Sequence, residues 1–247
     1  MFELKLEDAR YWKSCVESIR SLVEEGTFNI TKEGISLRAM DPSGISMVSF
    51  FIPNKAFSKY NIDKDVSIGL DLDNLSKILN SARDDEQLVL KEGGKKLEVR
   101  FVGAHGTRRY TVPMIDVRAG ADKEPKIAFE SHVEVNGDAL KAILSDADPL
   151  STYVSFKTDK NSFVVAAKGD PGELEEEHVG NTDVITKLDV TKPSAATFNL
   201  EFLSRIMKGC PAAASVQLSL KNQEPIKIDY KIGDAAVAYY LAPYMES

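Results

Sequence analysis

The sequence predicts an α+β protein made of two tandem, similar domains. Three features carry this: a repeat at half the chain length, four amphipathic helical segments, and period-two alternation nearly everywhere else. The segment Leu72-Asp-Asn-Leu-Ser-Lys-Ile-Leu79 returns as Leu200-Glu-Phe-Leu-Ser-Arg-Ile-Met207, 128 residues further on in a chain of 247. Upstream, Phe28–Leu37 and Val154–Val165 share a strand, polar turn, strand pattern. Lys96–Phe101 and Ile226–Tyr230 both alternate strictly. Three matches in the same order argue against a chance likeness of helices, and the period is far too long for a solenoid repeat.

The first helical segment places Tyr11, Trp12, Cys15, Val16, Ile19, Leu22 and Val23 on one face, with Gly26 as its expected stop. The second buries Leu72, Leu75, Ile78 and Leu79. The third follows Asn136, an expected N-cap, buries Leu140, Ile143, Leu144 and Ala147, and is closed by Pro149. The fourth buries Leu200, Leu203, Ile206 and Met207 and ends before Pro211. Strand-like segments fill the rest, with hairpin turns at Glu92–Lys95 and Asp159–Asn161. Each half therefore reads helix, strands, helix, strands, which lays two helices on one face of an antiparallel sheet. Asp116–Lys126 is polar, holds Gly120 and Pro125 and lacks an apolar face, so it reads as a connector between domains 1–115 and 127–247.

A 43% hydrophobic, 28% charged composition is that of a soluble globular protein and excludes a disordered or collagen-like chain. No apolar run reaches the ~18 residues of a membrane span, and the start shows no signal peptide. Two cysteines cannot build a disulfide scaffold, so a reducing, intracellular setting is expected. The three histidines have no metal-ligand spacing, and no nucleophile elbow, phosphate loop or dinucleotide fingerprint is present. Carboxylate runs such as Asp84-Asp85 and Glu175–Glu177 read as solvated faces. No catalytic residue, metal or cofactor is assigned, and an enzyme is not expected.

The net charge of −7 disfavours nucleic-acid binding as a property of the whole surface but allows a local basic face. The polar sides of the four helices carry Arg10, Lys13 and Arg20; Lys77, with Arg83 at its end; Lys141; and Arg205 with Lys208. Such groups can touch phosphates without reading bases. Ordinary solvated helix faces explain the same pattern, and both readings stay open on the residues alone.

Met1-Phe-Glu3, Gly34-Ile-Ser-Leu-Arg-Ala-Met-Asp41, Tyr230-Lys-Ile232 and Tyr239-Tyr-Leu-Ala-Pro243 together resemble the proliferating cell nuclear antigen family, the sliding clamps of archaeal and eukaryotic DNA replication. The resemblance covers essentially the whole chain, and the ending, without an acidic tail, is similar to archaeal members. It implies the DNA-clamp fold, with three chains joined head to tail in a ring, sheets outside and helices lining a hole around duplex DNA. The helix cations above would then face DNA, with Arg10 and Arg83 at the edges. Subunits would join through the stretches Thr107–Pro113 and Gly172–Val179, with Arg108, Arg109 and Tyr110 opposite Glu173, Glu175, Glu176 and Glu177. A partner's short motif of a glutamine and aromatics would dock at Met40, Gly44, Ile45, Met47, Pro225, Tyr240, Leu241, Ala242 and Pro243. The connector lacks the apolar residues that usually precede its proline, and Ile127 would stand in for part of them. The implied function is a polymerase processivity factor and docking platform for replication and repair. Implied partners are duplex DNA, two further subunits, a clamp loader, DNA polymerase, ligase and nuclease, with no membrane. The place is the cytoplasm or nucleoid in an archaeon, or the nucleus in a eukaryote. Two other readings are a subunit of a heterotrimeric or checkpoint-type clamp, and an unrecognised two-domain enzyme, which a cluster of Asp84, Asp85 and His105 would mark.

Overall fold

Alternation in the sequence becomes alternation of burial: in β1 (Phe2–Leu6), Phe2, Leu4 and Leu6 are buried while Glu3 and Lys5 point outward. The computed structural model describes residues 1–117 and 123–245. After β1 come α1 (Ala9–Arg20), β2 (Glu25–Ile30), β3 (Gly34–Met40), β4 (Ser46–Pro53), a 3-10 turn at Asn54–Ala56, β5 (Lys59–Ile62), β6 (Val66–Asp71), α2 (Leu72–Leu79), β7 (Gln87–Glu92), β8 (Lys96–Gly103) and β9 (Gly106–Pro113). The second half runs β10 (Ser131–Asn136), α3 (Gly137–Ala147), β11 (Tyr153–Thr158), β12 (Ser162–Gly169), β13 (Gly172–Val179), β14 (Ile185–Val190), β15 (Ser194–Asn199), α4 (Leu200–Lys208), β16 (Ser215–Leu220), β17 (Ile226–Ile232) and β18 (Ala235–Leu241).

The described chain divides into two compact units, each of which also takes a short segment from the other half of the sequence. The first comprises residues 1–42, 48–122 and 232–237, and the second 43–47, 123–231 and 238–247. In the first unit an antiparallel sheet has the order β5-β1-β7-β8-β9, and β2 lies between β3 and β6 in another. In the second unit one sheet has the order β13-β12-β11-β15, and β10 lies between β14 and β16, with β17 beyond. Both β9 and β13 are thus edge strands. Helices pack in pairs, α1 with α2 and α3 with α4.

The duplication is visible in the helix caps. Asp8 accepts the backbone N–H of Arg10, and Asp71 that of Asn74; Asn136 accepts those of Asp138 and Ala139, and Asn199 that of Phe202. Each pair, Asp8 with Asn136 and Asp71 with Asn199, stands 128 residues apart. A side-chain acceptor at this position satisfies amide groups that the helix itself cannot.

One expectation is corrected. The first helix stops at Arg20, with Ser21 donating its N–H to the Glu17 carbonyl, and Gly26 lies inside β2 opposite Leu70. Leu22 and Val23 are buried in the turn that follows, so the apolar period outruns the helix. Gly26 serves packing: a Cβ there would stand 2.5 Å from Leu37 Cδ1. Of the connector read at 116–126, residues 116–117 and 123–126 lie in neither helix nor strand, and 118–122 lie outside the described residues.

Candidate nucleic-acid and partner interfaces

The cations on the helices are not equivalent. Arg10 is held on two sides, Nη1 donating to Asp84 Oδ1 at 2.8 Å and Nη2 to Asp8 Oδ2 at 3.0 Å. The Arg10 hydrogen bond holds the Asp8 carboxyl below the usual range, although burial opposes this. Arg20 Nε lies 2.8 Å from Asp73 Oδ1, and Nη1 lies 3.6 Å from Glu17 Oε2. The Nε–H lacks hydrogen-bond geometry, so the attraction to Asp73 is that of an ion pair. Glu17 also accepts the Ser76 hydroxyl. By contrast, Lys13, Lys77 and Arg83 have no carboxylate within 4.0 Å among the described residues.

The second unit repeats the contrast. Lys141 Nζ donates to the Cys210 carbonyl at 2.8 Å and lies 3.6 Å from Asp138. The Arg205 guanidinium stands over the Phe202 ring, 5.7 Å from its centroid. Lys208 has no ion-pair partner among the described residues.

At the edge strands, the face on which each charge sits matters most. On β9, Arg108 and Tyr110 share the inward face with buried Val112, while Arg109 points out. Arg108 pairs with nearly buried Glu86, donates to the Ser81 carbonyl at 2.9 Å and lies 4.9 Å over the Phe101 ring. It is therefore committed within its own chain, and Arg109, with Nε 3.4 Å from Glu98, is the outward cation. On β13, Glu173, Glu175 and Glu177 are exposed; Glu176 turns to the other face and meets His178 Nε2 at 3.1 Å. Glu173 also pairs with Lys168.

Of the residues expected to receive a partner peptide, Ile45 is exposed, and Gly44 beside it adopts φ 72° in open space. The Ala242 N–H donates to the Ile45 carbonyl at 2.9 Å, which brings Ile45, Ala242 and Pro243 together. Ile127, Pro225 and Pro243 are half-buried. Met47 and Leu241 are core residues, 3% and 0% exposed, and Tyr240 is 6% exposed, with its hydroxyl on Glu124 at 2.7 Å. Met40 is exposed and belongs to the first unit. The sequence reading missed Tyr244, whose N–H donates to the Thr197 carbonyl at 2.7 Å and whose ring lies 4.0 Å from that of Tyr153. Both line a trough of about 790 Å³ floored by Ser155, Ala166, Ala195 and Thr197. The signal was present: these small residues occupy the outward positions of three alternating strands.

Asp84 is tied to Arg10, and His105 sits in the turn between β8 and β9. No group of three or more metal-ligating side chains occurs among the described residues. His132 Nδ1 hydrogen-bonds Ser219 at 3.0 Å.

Comparison with known proteins decides the family. The model of the proliferating cell nuclear antigen N-terminal domain matches residues 1–119, and that of the C-terminal domain residues 123–245. The chain belongs to the proliferating cell nuclear antigen family. A relative from Pyrococcus abyssi, named DNA polymerase sliding clamp, is 31% identical over 247 residues, covering 99% of each chain. The crystal structure of PCNA from Thermococcus kodakaraensis superposes with a TM-score of 0.94 at 25% identity, over 99% of this chain and 100% of that one. PCNA from A. fulgidus, solved with the C-terminal region of FEN-1 bound, gives 0.91 at 26% identity over 100% of both chains. The two-domain clamp fold read from the sequence is thus that of its family, and the function that goes with it is that of a DNA sliding clamp.

Proposed function

We propose that three copies of this chain close head to tail around duplex DNA and that the four helices supply the phosphate contacts, chiefly through Lys13, Lys77, Arg205 and Lys208. The carrying observation is recurrence: Lys77 and Arg205, like Lys13 and Lys141, stand 128 residues apart on helices with matching caps. Contacts of this kind position a protein on DNA without reading sequence. The whole chain carries a net charge of −7 despite these cations, so the surface away from them is acidic and is kept off DNA. Outward Arg109 on β9 and outward Glu173, Glu175 and Glu177 on β13 make the two edges complementary, which supports a closed ring of identical subunits. Partners such as polymerase, ligase, nuclease and loader dock beside Ile45, Ala242 and Pro243. The chain works by binding rather than by catalysis, inside the cell where the chromosome lies.

The test replaces Lys77 and Arg205 by alanine together. Polymerase stimulation on primed DNA, measured against salt, is expected to fall, while solution mass stays that of three chains. Each lost phosphate contact flattens the salt dependence by a slope of about one. Curves identical to wild type would make these side chains plain solvated faces and remove the assignment.

A further inference from the structure

Within the DNA-facing reading above, on which this rests, the carboxylates around Arg10 and Arg20 need a reason. An arginine is the stronger phosphate ligand, planar and able to donate two parallel hydrogen bonds. Yet both arginines of α1 are occupied by acids, while the lysines Lys13 and Lys77 on the same pair of helices have none among the described residues. In each case the nearest acid comes from outside α1: Asp84 follows α2 and Asp73 lies in its first turn. We propose that Asp73 and Asp84, assisted by Glu17 and Asp8, compete with DNA phosphates for Arg20 and Arg10 and so hold the clamp's grip on duplex DNA below what its cations could deliver.

The second half supports this independently. At the positions 128 residues after Arg10 and Arg20 the chain carries Asp138 and Asp148. The arginine charge that α1 neutralises by pairing is, in α3, absent from the sequence altogether. Asp138 there also lies 3.6 Å from Lys141, the counterpart of Lys13. At these two positions neither half leaves an unpaired arginine, by different routes. The competition is gentle because the pairs are wet: the Asp73 and Asp84 side chains are 48% and 84% exposed. Ion pairs of that exposure are weak, so an approaching phosphate can exchange with the carboxylate, and contacts form and dissolve as the duplex moves past. A clamp must stay on while sliding, and a lattice of bidentate arginine–phosphate contacts would act as a brake.

The experiment uses the full chain and a short, labelled, blunt-ended duplex, with binding followed by anisotropy from low to physiological salt. Asp73→Asn and Asp84→Asn are each expected to tighten binding roughly two- to five-fold, the range that the strength of an exposed ion pair allows. Together they should steepen the salt dependence by up to about 0.9 per freed arginine. Simple loss of negative charge would also tighten binding, so the deciding arm is Asp73→Asn in an Arg20→Gln background. Pairing requires that the aspartate change then has no effect; an undiminished gain there overturns the proposal. Equal affinity and slope for wild type and both single variants also overturn it. The Lys77→Ala, Arg205→Ala protein in the same titration separates this from the parent reading. If it weakens binding while the aspartate variants change nothing, the helices face DNA but the acids do not compete. If it too is unchanged, the DNA-facing reading itself falls.

Discussion

Arg108 shows how much depends on the face a single side chain occupies. Its charge was legible, and so was its strand; its commitment to Glu86 was not, because Glu86 lies 22 residues earlier in a turn. The parity that Arg108 shares with buried Val112 was the available clue. Burial works against a charge on Glu86, but the Arg83 N–H and the Arg108 guanidinium hold its pKa below the ordinary value of 4.5. A carboxylate with a lowered folded pKa stabilises above its unfolded value, and that contribution disappears as pH falls through the folded one. Arg108→Ala is therefore expected to cost roughly 1.5–3 kcal/mol by urea unfolding at neutral pH, the range for hydrogen bonds to charged groups. Part of the difference from wild type should vanish in acid. A neutral-pH loss confined to ring assembly, with the subunit as stable as wild type, would mean that Arg108 serves only the interface. At Ile45 the expectation is the opposite: exposed and without a core role, it should tolerate aspartate. Ile45→Asp should lose a peptide carrying a glutamine and paired aromatics, read by calorimetry, with the melting temperature unmoved.

The helices were the most legible elements, because each has a short apolar stripe beneath a side-chain cap. All the apolar residues assigned to the second, third and fourth helices are buried or nearly so. The end of the first was not legible, because Leu22 and Val23 prolong its period into a turn that the core buries for its own reasons. Strand order escaped the sequence as well: β1 lies between β5 and β7, pairings that no local pattern encodes. The caps give an element-scale test. Asp71→Ala and Asn199→Ala remove matching acceptors from the Asn74 and Phe202 amides, and each should cost about 0.5–2 kcal/mol. Exchanging the residue types, Asp71→Asn and Asn199→Asp, should cost much less at neutral pH. Thermal melts of the four variants check this, and an alanine cost equal to that of the exchange would show that the caps are dispensable.

For the whole molecule, the clearest expectation is a solution mass of three chains, shifted toward smaller species by added salt and by Arg109→Glu. That change places like charge against the exposed glutamates of β13. A native protein that remains a single chain at micromolar concentration would count heavily against the ring. Architecture was legible at this scale because duplication doubled every signal. The interleaving of the two units, with residues 43–47 in one and 232–237 in the other, was not, since it follows from long-range contacts. The matched caps have one more consequence. The earlier copy uses carboxylates, Asp8 and Asp71, and the later copy amides, Asn136 and Asn199. An amide accepts hydrogen bonds identically at every pH, whereas a carboxylate surrenders its charge in acid. Asp8, its pKa lowered by Arg10, supports α1 above the ordinary aspartate value and ceases to as pH falls through the folded one. Glu86 belongs to the same copy and follows the same sign. Acidification should accordingly loosen α1 early: below about pH 4, amides of α1, capped by Asp8, should lose hydrogen-exchange protection, corrected for intrinsic rates, before those of α3, capped by Asn136. On that expectation the two copies of one repeat differ in acid, the earlier copy giving way at α1 first and the later one holding.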